Sequence, residues 1–269
     1  MTSLLLSDGE CYDLASAFQT YPIAPCLFEA SPSRIPDPVY GGLLMARAIM
    51  VAATDVGKRQ CHSLQATFVR RAQPQVTTNF AVGETMTGRN FSMRRVTASQ
   101  DDREIFSASL SFREPHPGVA HQPPTPTMTF PSEYPTKSKQ RRPPPPGIEA
   151  RWVPDLDPNG SEILWMRSTC ALGNSSALQT AALVYASDYP IIEAGLSRHG
   201  LSWQSPDLFT TSLSHSAWIM RVSDFSDWHF FSIDSPAASG GTVLGRASCF
   251  DRDGNLVATF VQEAVIWTD

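Results

Sequence analysis

Residues 122–147 read QPPTPTMTFPSEYPTKSKQRRPPPPG, and no other segment constrains the fold as strongly. The stretch is dense in Pro, Thr, Ser and Lys and poor in aliphatic residues. Such a composition makes an extended linker rather than a core element. It divides the chain into three parts: residues 1–121, the linker 122–147, and residues 148–269. Each outer part has the length of an ordinary small domain.

The two outer parts resemble each other. Residues 95–107 read RVTASQDDREIFS and residues 246–258 read RASCFDRDGNLVA. Aligned without gaps, Arg95 meets Arg246, Asp102 meets Asp253, and Ile105-Phe106 meets Leu256-Val257. Both segments read as strand, turn, strand, with Asp253-Gly254 the stronger hairpin signal. This pattern predicts an internal duplication.

Each half also places one helix before its main strands. In the first half, GGLLMARAIMVAA is apolar on nearly every side, which marks a helix buried all round. The strands predicted after it are HSLQATFVRR, QVTTNFAVGE, NFSMRRVTAS and EIFSASLSFR. In the second half, SSALQTAALVYASD sets Leu178, Ala181, Ala182 and Tyr185 at helical spacing. Tyr189 precedes Pro190 and resists helical geometry, so this helix should end near Asp188. TTSLSHSAWI, WHFFSID, TVLGRASCF and LVATFVQEAVIW follow as strands. One buried helix and a run of antiparallel strands, twice over, is α+β architecture with a sheet wrapping a helix.

Composition narrows the function. The net charge is -5 and the pI about 5.7, so no nucleic-acid partner is expected. Five cysteines at 11, 26, 61, 170 and 249 are odd in number and widely spaced. This predicts free thiols and no zinc site. No histidine cluster has metal-ligand spacing, and no phosphate-binding P-loop occurs. The longest apolar stretch, interrupted by Arg47, is too short for a membrane span. With no secretory signal and no SKL-type end, the expected compartment is the cytoplasm.

Two polar residues stand where polarity is unfavourable. On the strand 255–267, alternation puts Gln262 in a row with Leu256, Ala258, Phe260, Ala264 and Ile266. Burying its amide without partners would cost about 1–3 kcal/mol. At the gapless repeat position the first half carries Ser111. Asp188 closes an apolar helix, where the macrodipole and desolvation both disfavour a carboxylate. Either residue could be satisfied structurally or could serve a site.

Other patterns are weaker. Asp188, Ser212 and His215 could form a triad, but regular alternation turns His215 away from Ser212 and Ser214. GNSSA at 173–177 approximates a nucleophile elbow without the flanking parallel sheet, so Ser175 or Ser176 reads better as a helix N-cap. Arg70-Arg71, Arg94-Arg95 and Arg246 are candidate phosphate contacts.

Taken in order, several segments resemble the acyl-CoA thioesterase II family. In the first half they are YGGLLMARAI, HSLQATFVR, and GRNFSMRRVTASQDDREIFSASLSF with HQ at 121–122. In the second they are YASDYP, RHG at 198–200, SLSHSAW, SIDSPAASGG and RDGNLVATFVQEAVI. The resemblance implies a double hotdog, two antiparallel sheets each wrapping a central helix. It implies hydrolysis of acyl-CoA to acid and CoA by a water held at Asp188, Ser212 and Gln262, with no cofactor and no metal. Helix-terminus physics puts the oxyanion near the Gly41 and Gly42 amides, and CoA is expected near basic residues, for which Arg94, Arg95 and Arg246 are candidates. The resemblance also implies a homo-oligomer. The family's Arg-Pro-Gly turn is replaced here by Arg71-Ala72-Gln73-Pro74. Alternatives on the same fold are a pathway-specific acyl hydrolase or acyltransferase of specialised metabolism, or a non-catalytic acyl-CoA-binding protein.

Overall fold

The computed structural model describes residues 12–32, 39–125, 141–153 and 161–268. In the first half, α1 (Leu14–Ala17), β1 (Tyr21–Ala24) and β2 (Leu27–Ala30) precede the long helix α2 (Gly41–Ala52). Strands β3 (Gln60–Phe68), β4 (Thr78–Thr87), β5 (Phe91–Gln100) and β6 (Arg103–Arg113) follow it. The second half runs β7 (Ile148–Trp152), β8 (Glu162–Ser168), α3 (Ser176–Ser187), α4 (Glu193–Arg198), β9 (Phe209–Ile219), β10 (His229–Ser239), β11 (Thr242–Phe250) and β12 (Leu256–Trp267).

The twelve strands among the described residues form one antiparallel sheet in the order β1-β2-β4-β5-β6-β3-β9-β12-β11-β10-β8-β7. The double hotdog expected from the sequence is present, with its two sheets joined edge to edge into one. The β3 edge of the first half pairs with the β9 edge of the second, Leu64 opposite Ala217 and Thr67 opposite Ser214. Edge-to-edge closure removes two exposed strand edges at once. The sheet wraps α2 and α3, which pack against each other at the centre of the largest core cluster.

The helices are buried for the reason their composition indicates. Nearly every α2 side chain is inaccessible, including Arg47. Arg47 donates to the carbonyls of Ala17 at 3.1 Å and Ser31 at 3.3 Å, and burial pulls its pKa down to about 10. Helix α3 ends where Tyr189-Pro190 requires it to, with Asp188 as C-cap. Ser175 is its N-cap and accepts from the Leu178 N–H at 3.3 Å.

The pairing register measures the duplication. Arg94 lies opposite Leu110 in β5–β6, and Gly245 lies opposite Gln262 in β11–β12. Arg94 and Gly245 are gapless repeat partners, so the partner of Gln262 is Leu110. This corrects the Ser111 assignment. The hairpin turn of the second half holds one extra residue, which shifts β12 by one and would otherwise reverse its faces. The cysteine expectation also needs correction: Cys170 is disulfide-bonded, while Cys26, Cys61 and Cys249 are free. Among the described residues no helix is long and apolar enough to cross a membrane, and no three His, Cys, Asp or Glu side chains cluster as metal ligands.

Candidate active site

The N-terminus of α2 meets the C-terminus of α3, and the contact is close because α2 begins with two glycines. A Cβ on Gly42 would stand 2.4 Å from the Tyr185 carbonyl oxygen. One on Gly41 would stand 2.9 Å from the Phe68 ring and 3.0 Å from Asp188 Oδ2. Tyr40 closes the junction, donating its hydroxyl to the Tyr185 carbonyl at 2.8 Å with its ring edge-on to Tyr185. Burial and the neighbouring Asp188 push the Tyr40 phenol well above its ordinary pKa.

This packing resolves the conflict at Asp188. The carboxylate is only 5 % exposed and sits at the negative end of α3, yet it faces the positive end of α2. The Gly42 N–H donates to Asp188 Oδ2 at 2.9 Å. On the other side, Gln262 Nε2 donates to Asp188 Oδ1 at 2.7 Å. The first half thus supplies the helix end that stabilises a carboxylate of the second.

Gln262 is 1 % exposed and points inward from β12. Its Nε2 also donates to Ser212 Oγ at 2.6 Å. Both amide hydrogens are therefore engaged. Two acceptors on one planar amide nitrogen lie roughly 4.5 Å apart, the span of a single bridging water. The hydroxyl hydrogen of Ser212 stays available, because Oγ serves Gln262 as acceptor.

Ser212 reaches this place through an irregularity that alternation does not predict. Glu263 pairs with Ser214, and the next residue, Ala264, pairs with Ser212. Leu213 is the extra residue of a β-bulge. The bulge brings Ser212 onto the inner face with His215, which regular alternation had separated. Even so, no Ser212–His215–Asp188 triad forms. His215 is fully buried, and its Nε2 contacts Ser187 Oγ at 3.1 Å. His215 is also the register partner of Gln262. Its Nδ1 and the Gln262 Oε1 are both buried without a hydrogen-bond partner. Burial lowers the His215 pKa, against a smaller upward pull from Asp188 and Gln262. Sequence reasoning set His215 aside as a strand histidine; only the bulge gives it a place in the site.

The remaining candidates separate. Arg94 is buried and donates to the carbonyls of Met86, Met93 and Asp55 and to Thr87 Oγ1, so it braces β5 and cannot face a phosphate. Arg95 and Arg246 stand on the outer face of the sheet. Arg246 is in a bidentate pair with Asp234. Ser175 lies at the opposite end of α3 from Asp188, about 18 Å away for a helix of this length, which removes the nucleophile-elbow reading. Gly41 adjoins Asp188, whereas the Gly42 N–H is already committed to the carboxylate.

The equivalent place in the first half is apolar. The repeat counterpart of Gln262 is Leu110. The residue before the β3 bulge, Cys61, matches Ser212. The α2 C-cap, Ala53, matches Asp188.

Comparison with known proteins bears on the family of the chain. Residues 157–265 match the family model described as acyl-CoA thioesterase, and residues 31–113 match that of the acyl-CoA thioesterase N-terminal domain. The chain is 28% identical over 257 residues to acyl-coenzyme A thioesterase 8 of Homo sapiens, covering 85% of this chain and 80% of that protein. It is 28% identical over 249 residues to acyl-CoA thioesterase 2 of Haemophilus influenzae, covering 85% and 87%. Among solved structures, acyl-CoA thioesterase II TesB2 from Mycobacterium marinum superposes with a TM-score of 0.85 at 26% identity, covering 96% of this chain and 99% of that one.

Proposed function

Because the chain belongs to the acyl-CoA thioesterase II family and is a thioester hydrolase, we propose that it hydrolyses acyl-CoA by direct attack of a water held by Asp188, Ser212 and Gln262. The observation that carries this reading is the hydrogen-bonded row from the Gly42 amide through Asp188 and Gln262 to Ser212. A buried row of this kind would be unfavourable in a protein that only stored an acyl group, since apolar residues fill the same place in the first half.

In the proposed reaction, water bridges Asp188 and Ser212 and attacks the thioester carbonyl carbon. Asp188 takes the proton as general base. Gln262 spaces the two groups, so the attacking oxygen meets the carbonyl in one geometry. The Gly41 amide, first in α2 and beside Asp188, is the nearest helix-end donor for the developing oxyanion. The tetrahedral intermediate then expels the CoA thiolate, which recovers the proton from Asp188. No acyl-enzyme forms.

The test is thiol release from a panel of acyl-CoAs by wild type and Asp188→Asn. Wild type should turn over part of the panel, and the variant should lose roughly 10²-fold or more in kcat, the usual contribution of a general base. Wild-type inertness on the whole panel, or an Asp188→Asn enzyme of full activity, would overturn the reading.

A further inference from the structure

A cleft of about 360 Å³ opens between the turn that follows β3 and the β5–β6 hairpin. Arg70, Arg71 and Arg103 line it, with Asp101 the acidic group among the lining residues. Its walls are fixed. The N–H groups of Val69 and Arg70 both donate to the Ile105 carbonyl. The buried Gln100 side chain accepts from the Gln73 N–H at 2.8 Å and donates to the Gln73 carbonyl at 2.9 Å. The altered turn Arg71-Ala72-Gln73-Pro74 is thus one wall of a preformed, cationic cleft, and such a cleft suits phosphate groups.

Its position relative to the two halves singles it out. Thr67 lies opposite Ser214, so β3 leaves the sheet at the end where Ser212 stands. Phe68 flanks Gly41 and Asp188, and Arg71 is three residues further along the chain, at most about 10 Å on. The second half builds the same corner: Met220 and Arg221 donate to the Val257 carbonyl. There Val222 and Asn255 replace Arg71 and Arg103, while Asp224 and Asp251 replace Gln73 and Gln100. Gln122 and Thr125 also cap that hairpin through the Gly254 carbonyl and the Leu256 N–H. This acidic, covered corner adjoins the apolar counterpart site at Cys61. The basic cleft adjoins the polar one.

We propose that the cleft of Arg70, Arg71 and Arg103 binds the phosphorylated adenosine end of the CoA thioester, with the pantetheine arm running past Phe68 to Asp188. This rests on the acyl-CoA reading above and names where its nucleotide is held. The experiment compares an acyl-CoA with the acyl-pantetheine of the same acyl group, which lacks the nucleotide. Wild type should favour acyl-CoA at least tenfold in kcat/KM. The double variant Arg71→Val with Arg103→Asn, which copies the second half, should lose that preference through KM and leave acyl-pantetheine turnover unchanged. Arg103→Glu alone should act in the same direction. A preference that survives in the variants, or an equal loss on both substrates, overturns the proposal. Titration with adenosine 3′,5′-bisphosphate reads the cleft without turnover. Binding by wild type that the double variant abolishes supports the cleft even in a chain inert on thioesters, where the hydrolysis reading alone would fall. Absence of wild-type binding overturns the cleft assignment while leaving the hydrolysis reading intact.

Discussion

The two halves share one plan of a buried helix in a curved sheet and differ at three matched positions. Where the second half has Asp188, Ser212 and Gln262, the first has Ala53, Cys61 and Leu110. The first set is joined by hydrogen bonds. In the second set Cys61 and Leu110 are buried in the core, and burial pushes the Cys61 thiol up to about 12, against a weaker downward pull from the Ser63 backbone. A thiol held neutral and apolar neighbours make good packing but no water site. Yet the first half is not idle. Its α2 presents the helix end that Asp188 needs, and its β3 presents Phe68. The comparison teaches that one half retained the packing and the other the polar groups, and that the site exists only across their junction.

The largest expected effect follows from that asymmetry. If the first half has no catalytic capacity of its own, Asp188→Asn should remove nearly all turnover, leaving on the order of 1% or less. A residual near half of wild type, with unchanged KM, would mean that a second site works in the first half and would break the comparison.

The next effect tests the helix junction. Gly42→Ala sets a methyl against the Tyr185 carbonyl, which should destabilise the fold by about 1–3 kcal/mol. By displacing the amide that holds Asp188, it should also lower kcat by about tenfold. Its counterpart at the start of α3 is Ala177, and Ala177→Gly should cost at most about 1 kcal/mol with kcat unchanged. Thermal melts and steady-state rates of the pair read both outcomes. Equal effects on rate would show that the α2 end has no special part in the site.

Exchanging the matched inward residues should separate stability from activity. Leu110→Gln buries an amide with no partner and should destabilise by about 1–3 kcal/mol without changing kcat. Gln262→Leu frees Asp188 and Ser212 from their common spacer, and kcat should fall about tenfold to a hundredfold. Denaturant midpoints and turnover numbers for the two variants decide it. A Leu110→Gln enzyme that is slowed as much as Gln262→Leu would refute the division of labour.

How much of this was legible in sequence depended on whether a residue obeyed the local period. The long strands and both core helices were legible because their alternation and apolar faces are regular over ten or more residues. The edge hairpin β1–β2 was not: β1 is exposed along its whole length and contains Pro22, so it has neither the burial pattern nor the composition of a strand. Strands β7 and β8 lie close to the proline-rich segment, and β7 is only five residues long. Asp188 and Gln262 were conspicuous because polarity breaks an apolar pattern at each. Ser212 carried no such signal, since the bulge at Leu213 depends on cross-strand register, and only the family resemblance singled it out. Arg94 could have been read correctly from the row Ser92, Arg94, Val96, Ala98, all of which face inward.

The smallest predicted effect concerns His215, whose counterpart by the same repeat is the buried Leu64. Its ring is enclosed by Ser187, Gln262 and Phe260, with Asp188 nearby. Its folded pKa lies below the ordinary 6.5, chiefly through burial. The neutral ring is therefore the native form. Above about pH 6.5 neither state takes up the proton and the group has no effect on stability against pH. As pH falls below that value the unfolded chain gains a proton that the native ring resists, so native stability is lost. His229, also buried with a lowered pKa, should act in the same sense. His215→Leu should keep the His229 dependence and lose its own, so its melting temperature should fall less steeply than that of wild type below pH 6.5. At neutral pH the variant removes the ring that stands opposite Gln262 in the β9–β12 register, and kcat should drop a few-fold with KM unchanged. An identical acid slope in wild type and variant would mean that His215 is not titrating on unfolding. An unchanged kcat would mean that Gln262 needs no help from the ring to keep its orientation.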